Sequence, residues 1–407
     1  MKNLTIISVA CLIFASACKD NKTSESKKDM DVTPPKAEKI AKNLEMHGDV
    51  RLDDYYWLND KENPEVIDYL ERENDYYDKI TAHTKDFQKD LFEEMKSRIK
   101  EDDASVPYFY NGYYYITRYE TGKDYPIHSR KKGSLDAEEE IMFNVNELAE
   151  GHSYYALNGI NVSPDNKWAA YGVDTVSRRK YTIHIKNLVT GEVIPETIPL
   201  TTGGSTWAND SKTLFYTKKD EQTLRSNQIY RHVKGTDTSK DKLIFTEEDE
   251  TFGTYVYKTK SEEWLVIGSY STLTSEFQIL DANKPEGDFK VFQPRTRGLE
   301  YSISHYGDDF YVVSAEETIT LPVDIFKDYL VVSERDNGLN KIHIKRWDGT
   351  QDYYLPFESE TYTASPTQNI EFTTKILRYA YNSLGTPASV IDFNMETKEK
   401  EVMKQTE

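Results

Sequence analysis

Few residues in this chain have the types and spacing for covalent chemistry. The segment Gly151-His152-Ser153-Tyr154-Tyr155 comes nearest to the Gly-x-Ser-x-Gly turn that projects a serine nucleophile beside an oxyanion hole. Tyr155 stands where the second glycine should be, and strand-like sequence rather than a helix follows, so the segment reads as structural. No residue is assigned as catalytic. The eight histidines are scattered without the spacing of a zinc site, so neither a metal nor a cofactor is expected. Both cysteines, Cys11 and Cys18, fall within the first eighteen residues. The body of the protein therefore has no disulfide, no thiolate nucleophile and no Cys-built metal centre.

Cys18 is a candidate for a different chemistry. Lys2 precedes a short apolar run from Leu4 to Phe14, and Ala15-Ser16-Ala17 leads into Cys18. The run is shorter than the roughly 20 residues of a membrane-spanning helix, so residues 1–17 read as a secretory signal peptide. Small residues before a cysteine resemble a bacterial lipoprotein cleavage box, which makes Cys18 the expected lipidation site. Cleavage after Ala17 without lipid is the alternative. Residues 18–42 are rich in Lys, Ser, Thr and Asp, with Pro34-Pro35, and read as a disordered tether. The expected location is outside the cytoplasm, either periplasmic or anchored to a membrane by lipid.

The elements that would position any site divide into two kinds. Asn63 and Pro64 open a helical pattern, since Asn caps well and Pro suits the first helical position. Val66, Tyr69, Leu70, Tyr76, Tyr77, Ile80, Phe87, Leu91, Met95 and Ile99 continue it as one apolar stripe. This is the helical arm, residues 43–106, and its stripe needs a surface to pack on. From Pro107 onward the pattern is strands. Tyr108-Phe109-Tyr110 and Tyr113-Tyr114-Tyr115-Ile116 flank Asn111-Gly112, a two-residue hairpin signal. Val162-Ser163-Pro164-Asp165-Asn166-Lys167-Trp168 and Trp207-Ala208-Asn209-Asp210-Ser211-Lys212-Thr213 look like copies of one unit, about 45 residues apart, the period of propeller blades. Aromatic residues make up 13% of the chain, which favours an all-β protein. A seven-bladed β-propeller over residues 107–407 is expected, since that length holds about seven blades. A pair of β-sandwiches is the alternative.

The formal net charge of −19 argues against nucleic-acid partners, whose phosphates require clustered Lys and Arg. It is compatible with cationic peptides as ligands, or with solubility alone.

The run His47-Gly48, Arg51, Asp53, Tyr55, Trp57-Leu58, Asp60, Pro64-Glu65-Val66, Tyr69-Leu70 and Glu73-Asn74 resembles the N-terminal signature of the prolyl oligopeptidase family of serine peptidases. The oligopeptidase B branch is the most similar. Gly122-Lys123-Asp124-Tyr125-Pro126, Ser177-Arg178-Arg179-Lys180-Tyr181 and Tyr230-Arg231-His232 extend the likeness, which reaches from about residue 40 to residue 407.

The resemblance implies a propeller that caps an α/β-hydrolase domain and admits only short peptides, with cleavage after Arg or Lys. This chain departs from that pattern twice. It holds no hydrolase domain, so the catalytic half would be missing or supplied by a second chain. Between Val313 and Asp324 it is also shorter than family members, so one blade is expected to be incomplete. The expected function is the propeller part of a serine endopeptidase, acting as a size filter. A non-catalytic peptide-binding surface lipoprotein and a gene fragment without function are the alternatives.

Overall fold

The computed structural model describes residues 32–315 and 323–406. The signal-peptide reading, Cys18, most of the tether and most of the shortened Ser314–Pro322 bridge lie outside the described residues. The chain divides into two compact units, with the boundary between Lys100 and Glu101.

In the first unit, β1 (Lys42–Met46) and β2 (Asp49–Asp53) form an antiparallel hairpin. Helix α1 (Pro64–Thr81) follows, with Asn63 Oδ1 accepting the Glu65 N–H at 2.9 Å and Pro64 in the first turn. The apolar stripe runs on to Ile99, but the helix does not. A 3-10 turn at Ala82–Thr84 separates α1 from α2 (Lys85–Ser97). Side chains around the break hydrogen-bond backward: the Thr81 hydroxyl to Tyr77 O, the Thr84 hydroxyl to Thr81 O, and His83 Nδ1 to Ile80 O. Such local bonds compete with the helical ladder. Val66 is buried, whereas Leu70, Tyr77, Phe87, Leu91, Met95 and Ile99 are exposed.

In the second unit, β3 (Tyr108–Tyr110), β4 (Tyr113–Arg118), β5 (Ile127–Lys132) and β6 (Glu139–Asn144) make one sheet. Asn111 and Gly112 form the tight turn between β3 and β4 at φ 46° and 83°, as the hairpin signal predicts. After a short helix α3 (Val145–Leu148), seven strands form a single sheet. They are β7 (Ala156–Val162), β8 (Trp168–Asp174), β9 (Tyr181–Asn187), β10 (Ile198–Trp207), β11 (Thr213–Lys219), β12 (Ser226–Val233) and β13 (Lys242–Thr246). A four-stranded sheet holds β14 (Gly253–Lys258), β15 (Trp264–Tyr270), β16 (Ser275–Asp281) and β17 (Lys290–Val291). Next, β18 (Glu300–Tyr306) and β19 (Asp309–Ala315) pair only with each other among the described residues.

Two more four-stranded sheets end the chain. The first holds β20 (Val323–Ile325), β21 (Tyr329–Asp336), β22 (Leu339–Arg346) and β23 (Asp352–Tyr354). The last holds β24 (Tyr362–Pro366), β25 (Ile376–Ser383), β26 (Thr386–Asn394) and β27 (Lys400–Gln405).

The unit is an all-β propeller, but the expected seven blades are corrected: among the described residues four sheets have the four strands of a blade. Hydrogen bonding at β10 accounts for the seven-stranded sheet. The start of β10 pairs with β9 at Ile198 and Thr201, and its end pairs with β11 from Ser205 to Trp207. One long strand thus serves both neighbours. Glycines make the close approach possible, because a Cβ at Gly159 would lie 2.3 Å from Gly203 O.

Adjacent sheets bury their faces against one another. Tyr113, Tyr115 and Phe143 pack on Ala169 and Tyr171, and Ala208 and Phe215 pack on Leu265 and Leu280. Val331, Ile342 and Ile344 pack likewise on Leu377, Tyr379 and Phe393. The first and last sheets share no strand. Side chains join them instead: Arg378 Nη1 donates to Pro107 O at 2.8 Å, and Lys404 Nζ lies 2.6 Å from Asp103 Oδ2.

Candidate functional site

The two repeated segments form equivalent turns, and these turns build one end of the site. Ser163 N–H donates to Trp168 O and Ala208 N–H to Thr213 O, with Asn166 and Ser211 at positive φ of 61° and 56°. A third copy runs from Thr259 to Trp264, with Thr259 N–H donating to Trp264 O and Glu262 at φ 63°. Sequence reading missed this copy because Lys260-Ser261-Glu262-Glu263 lacks the Asn and Asp that mark such turns.

The turns are tied to each other. Asn166 Nδ2 donates to Asn111 O at 3.0 Å, the Asp165 N–H to Ser211 Oγ at 3.1 Å, and Asn209 Nδ2 to Glu262 O at 2.9 Å. The Tyr110 hydroxyl donates to Glu262 Oε1.

Behind these turns lies a cavity of about 530 Å³, walled by Tyr110, Tyr115, Ser205, Lys258, Lys260 and Glu262, among others. Sequence periodicity could not reveal it, because its walls come from distant strands. Its electrostatics differ from those of the whole chain, since two lysines face one glutamate. Burial holds the Lys258 ammonium below the ordinary lysine range, with Glu262 opposing. Burial also lowers Lys260, opposed by Asp324 at 2.6 Å, and it raises the Asp324 carboxyl against the pull of Lys260. The Tyr115 phenol is pushed up to about 12, chiefly by burial, and so is a neutral donor at physiological pH. His128 bonds Thr117 at 3.1 Å and is lowered by burial, which favours the neutral imidazole.

No triad is assembled among the described residues. Gly151 sits in an exposed turn after α3, and Ser153 is exposed without a histidine bonded to it. Ser261 Oγ does bond His305 Nδ1 at 2.9 Å, but among the described residues no carboxylate hydrogen-bonds the other ring nitrogen to orient it. A serine nucleophile requires that orienting group and an oxyanion hole. The pair instead ties the β14–β15 turn to β18. No group of three or more His, Cys, Asp or Glu among the described residues could hold a metal ion.

Comparison with known proteins agrees with this architecture. The family profile described as "Prolyl oligopeptidase, N-terminal beta-propeller domain" matches residues 34–320 and 312–406. Dipeptidyl aminopeptidase BI of Pseudoxanthomonas mexicana is 37% identical over 405 residues, covering 88% of this chain and 56% of that protein. Protease 2 of Moraxella lacunata is 31% identical, covering 91% of this chain and 58% of its own length. The structure of oligopeptidase B from Leishmania major superimposes with a TM-score of 0.83 at 27% identity, over 92% of this chain and 61% of that one. The chain thus spans a little over half the length of these relatives. With its sheet order, repeated turns and sequence matched along most of its length, the chain belongs to the prolyl oligopeptidase family as an N-terminal β-propeller.

Proposed function

We propose that this chain is the propeller part of a serine peptidase and that it selects short peptides by size for an α/β-hydrolase domain. The observation that carries this reading is the cavity between the β3–β6 sheet and strands β7, β10 and β14, whose volume of about 530 Å³ is that of a small-ligand cleft and excludes folded chains. Cleavage after Arg or Lys is the finer proposal, supported by the likeness to oligopeptidase B. Among the described residues no serine is set in a triad, and we assign hydrolysis to the hydrolase domain. We also propose that it acts outside the cytoplasm, held to a membrane by lipid on Cys18.

The test joins the chain to the hydrolase domain of a relative. The hybrid should cleave a fluorogenic Arg-terminated peptide and spare the same sequence within a folded protein, while the hydrolase domain alone should cleave both. Equal discrimination with and without the propeller would overturn the size-filter reading. Hydrolysis by the chain alone, abolished by a serine-directed inhibitor, would overturn its non-catalytic role.

A further inference from the structure

One cation in the cavity forms no ion pair among the described residues, although Glu262 lies near enough to act on its charge. Lys258 closes β14, and its Nζ donates to Asn209 Oδ1 at 3.1 Å. The Asn209 amide nitrogen is engaged by Glu262 O and by Asn283 Oδ1 at 3.0 Å, which leaves its oxygen for the lysine. Among the described residues no carboxylate forms an ion pair with Lys258. Glu262 is bonded by Tyr110, and the neighbouring Lys260 is paired with Asp324. An ammonium has three donors, so two remain for a guest.

The same cavity carries neutral hydroxyls whose donors are unused among the described residues, although the Arg130 guanidinium lies beside that of Tyr115. Among the described residues the Tyr115 hydroxyl and Ser205 Oγ are buried and meet no hydrogen-bond acceptor, and both residues line this space with Lys258. Tyr115 itself is only 5% exposed. Buried polar groups are nearly always satisfied, and a half-buried cation such as Lys258 favours an anion. Lys260 is already paired with Asp324 at 2.6 Å, so the guest's charge falls to Lys258.

We propose that this cavity binds a carboxylate, with the Lys258 ammonium as its counter-ion and the hydroxyls of Tyr115 and Ser205 as further donors. The free C-terminus of a short peptide and a small organic acid share this chemistry. Binding involves no bond cleavage, so the proposal stands apart from the peptidase reading.

Calorimetry on the full chain tests it with acetate, N-acetyl-dialanine and N-acetyl-dialanine amide. The acid should bind at least about tenfold more tightly than the amide, as expected for a charge-assisted hydrogen bond. Acetate binding as tightly as the dipeptide acid identifies small acids as the guests, whereas binding of the dipeptide acid alone identifies peptide ends. Lys258→Gln should abolish the preference and Lys258→Arg should keep it. Independently of the Gln variant's folding, the Lys258 signal of reductively 13C-methylated wild-type protein, assigned by its absence in Lys258→Arg, should shift with the acid and not with the amide. Equal binding of acid and amide, no binding of any probe, or an unmoved Lys258 signal would overturn the proposal and leave a cavity that holds only water.

Discussion

A Cβ added to Gly172 would lie 2.4 Å from the Cα of Gly203, so the strand after the first repeat meets β10 backbone to backbone. Gly172→Ala should therefore force β8 and β10 apart. The expected cost is about 1–3 kcal/mol, typical of overpacking. Gly204→Ala, where a Cβ meets nothing within 4 Å, should stay within about 0.5 kcal/mol of wild type. Urea midpoints at equal slope decide the matter. Identical midpoints for the two variants would show that the junction relaxes freely.

The seam between the first and last sheets should be unevenly held. Arg378 is buried, bonds both oxygens of Asp392 at 2.6 and 2.8 Å, and also reaches Pro107 O. Arg378→Met leaves Asp392 without its counter-charge, a change expected to cost about 3–5 kcal/mol. The Lys404–Asp103 pair is more than a third exposed on both sides, so Lys404→Met should cost less than about 1 kcal/mol. Denaturant unfolding that ranked the two in the opposite order would refute this account of the seam.

Acid should weaken the fold partly through Glu247. Burial pushes its carboxyl up, but the hydrogen bond from Arg295 at 2.6 Å, with those from Ser269 and the Asp249 amide, holds it below the ordinary value of 4.5. A carboxyl depressed in the folded state contributes stability above its unfolded pKa and loses it as pH falls through the folded one. The stability gap between wild type and Glu247→Gln should thus be wide at neutral pH and close below about pH 4. Thermal unfolding at several pH values would expose a constant gap, which this linkage does not allow.

Lipid on Cys18 should hold the protein to membranes, since two or more acyl chains anchor stably where one is marginal. Cys18→Ala should move it to the soluble fraction or leave the leader uncut. Mass spectrometry finding a soluble wild-type chain that begins at an unmodified Cys18 would end the lipid proposal.

Signals confined to a few neighbouring residues were legible in the sequence. Asn63-Pro64 caps a helix and Asn111-Gly112 turns a hairpin because each effect acts within its own segment. The break at Ala82–Thr84 escaped because an apolar stripe carries no record of hydroxyls bonding backward to carbonyls. The blade count failed at β10, where pairing with both neighbours depends on glycines far apart in the chain. The cavity was invisible for a related reason. Its residues come from segments scattered between Tyr108 and Ile370, and a chain total of −19 says nothing about two lysines lining one cavity.

Closure by side chains rather than by a shared strand has a consequence for how the second unit can be re-cut. Lys404 and Asp103 touch at 2.6 Å, so the ends of the propeller are neighbours and a short Gly-Ser bridge could join β27 to Glu101. New termini could then open at the exposed Asn337-Gly338 turn, which interrupts only the β21–β22 hairpin. The circular permutant would keep every inter-sheet face while converting the seam into a covalent joint, the opposite of the natural arrangement.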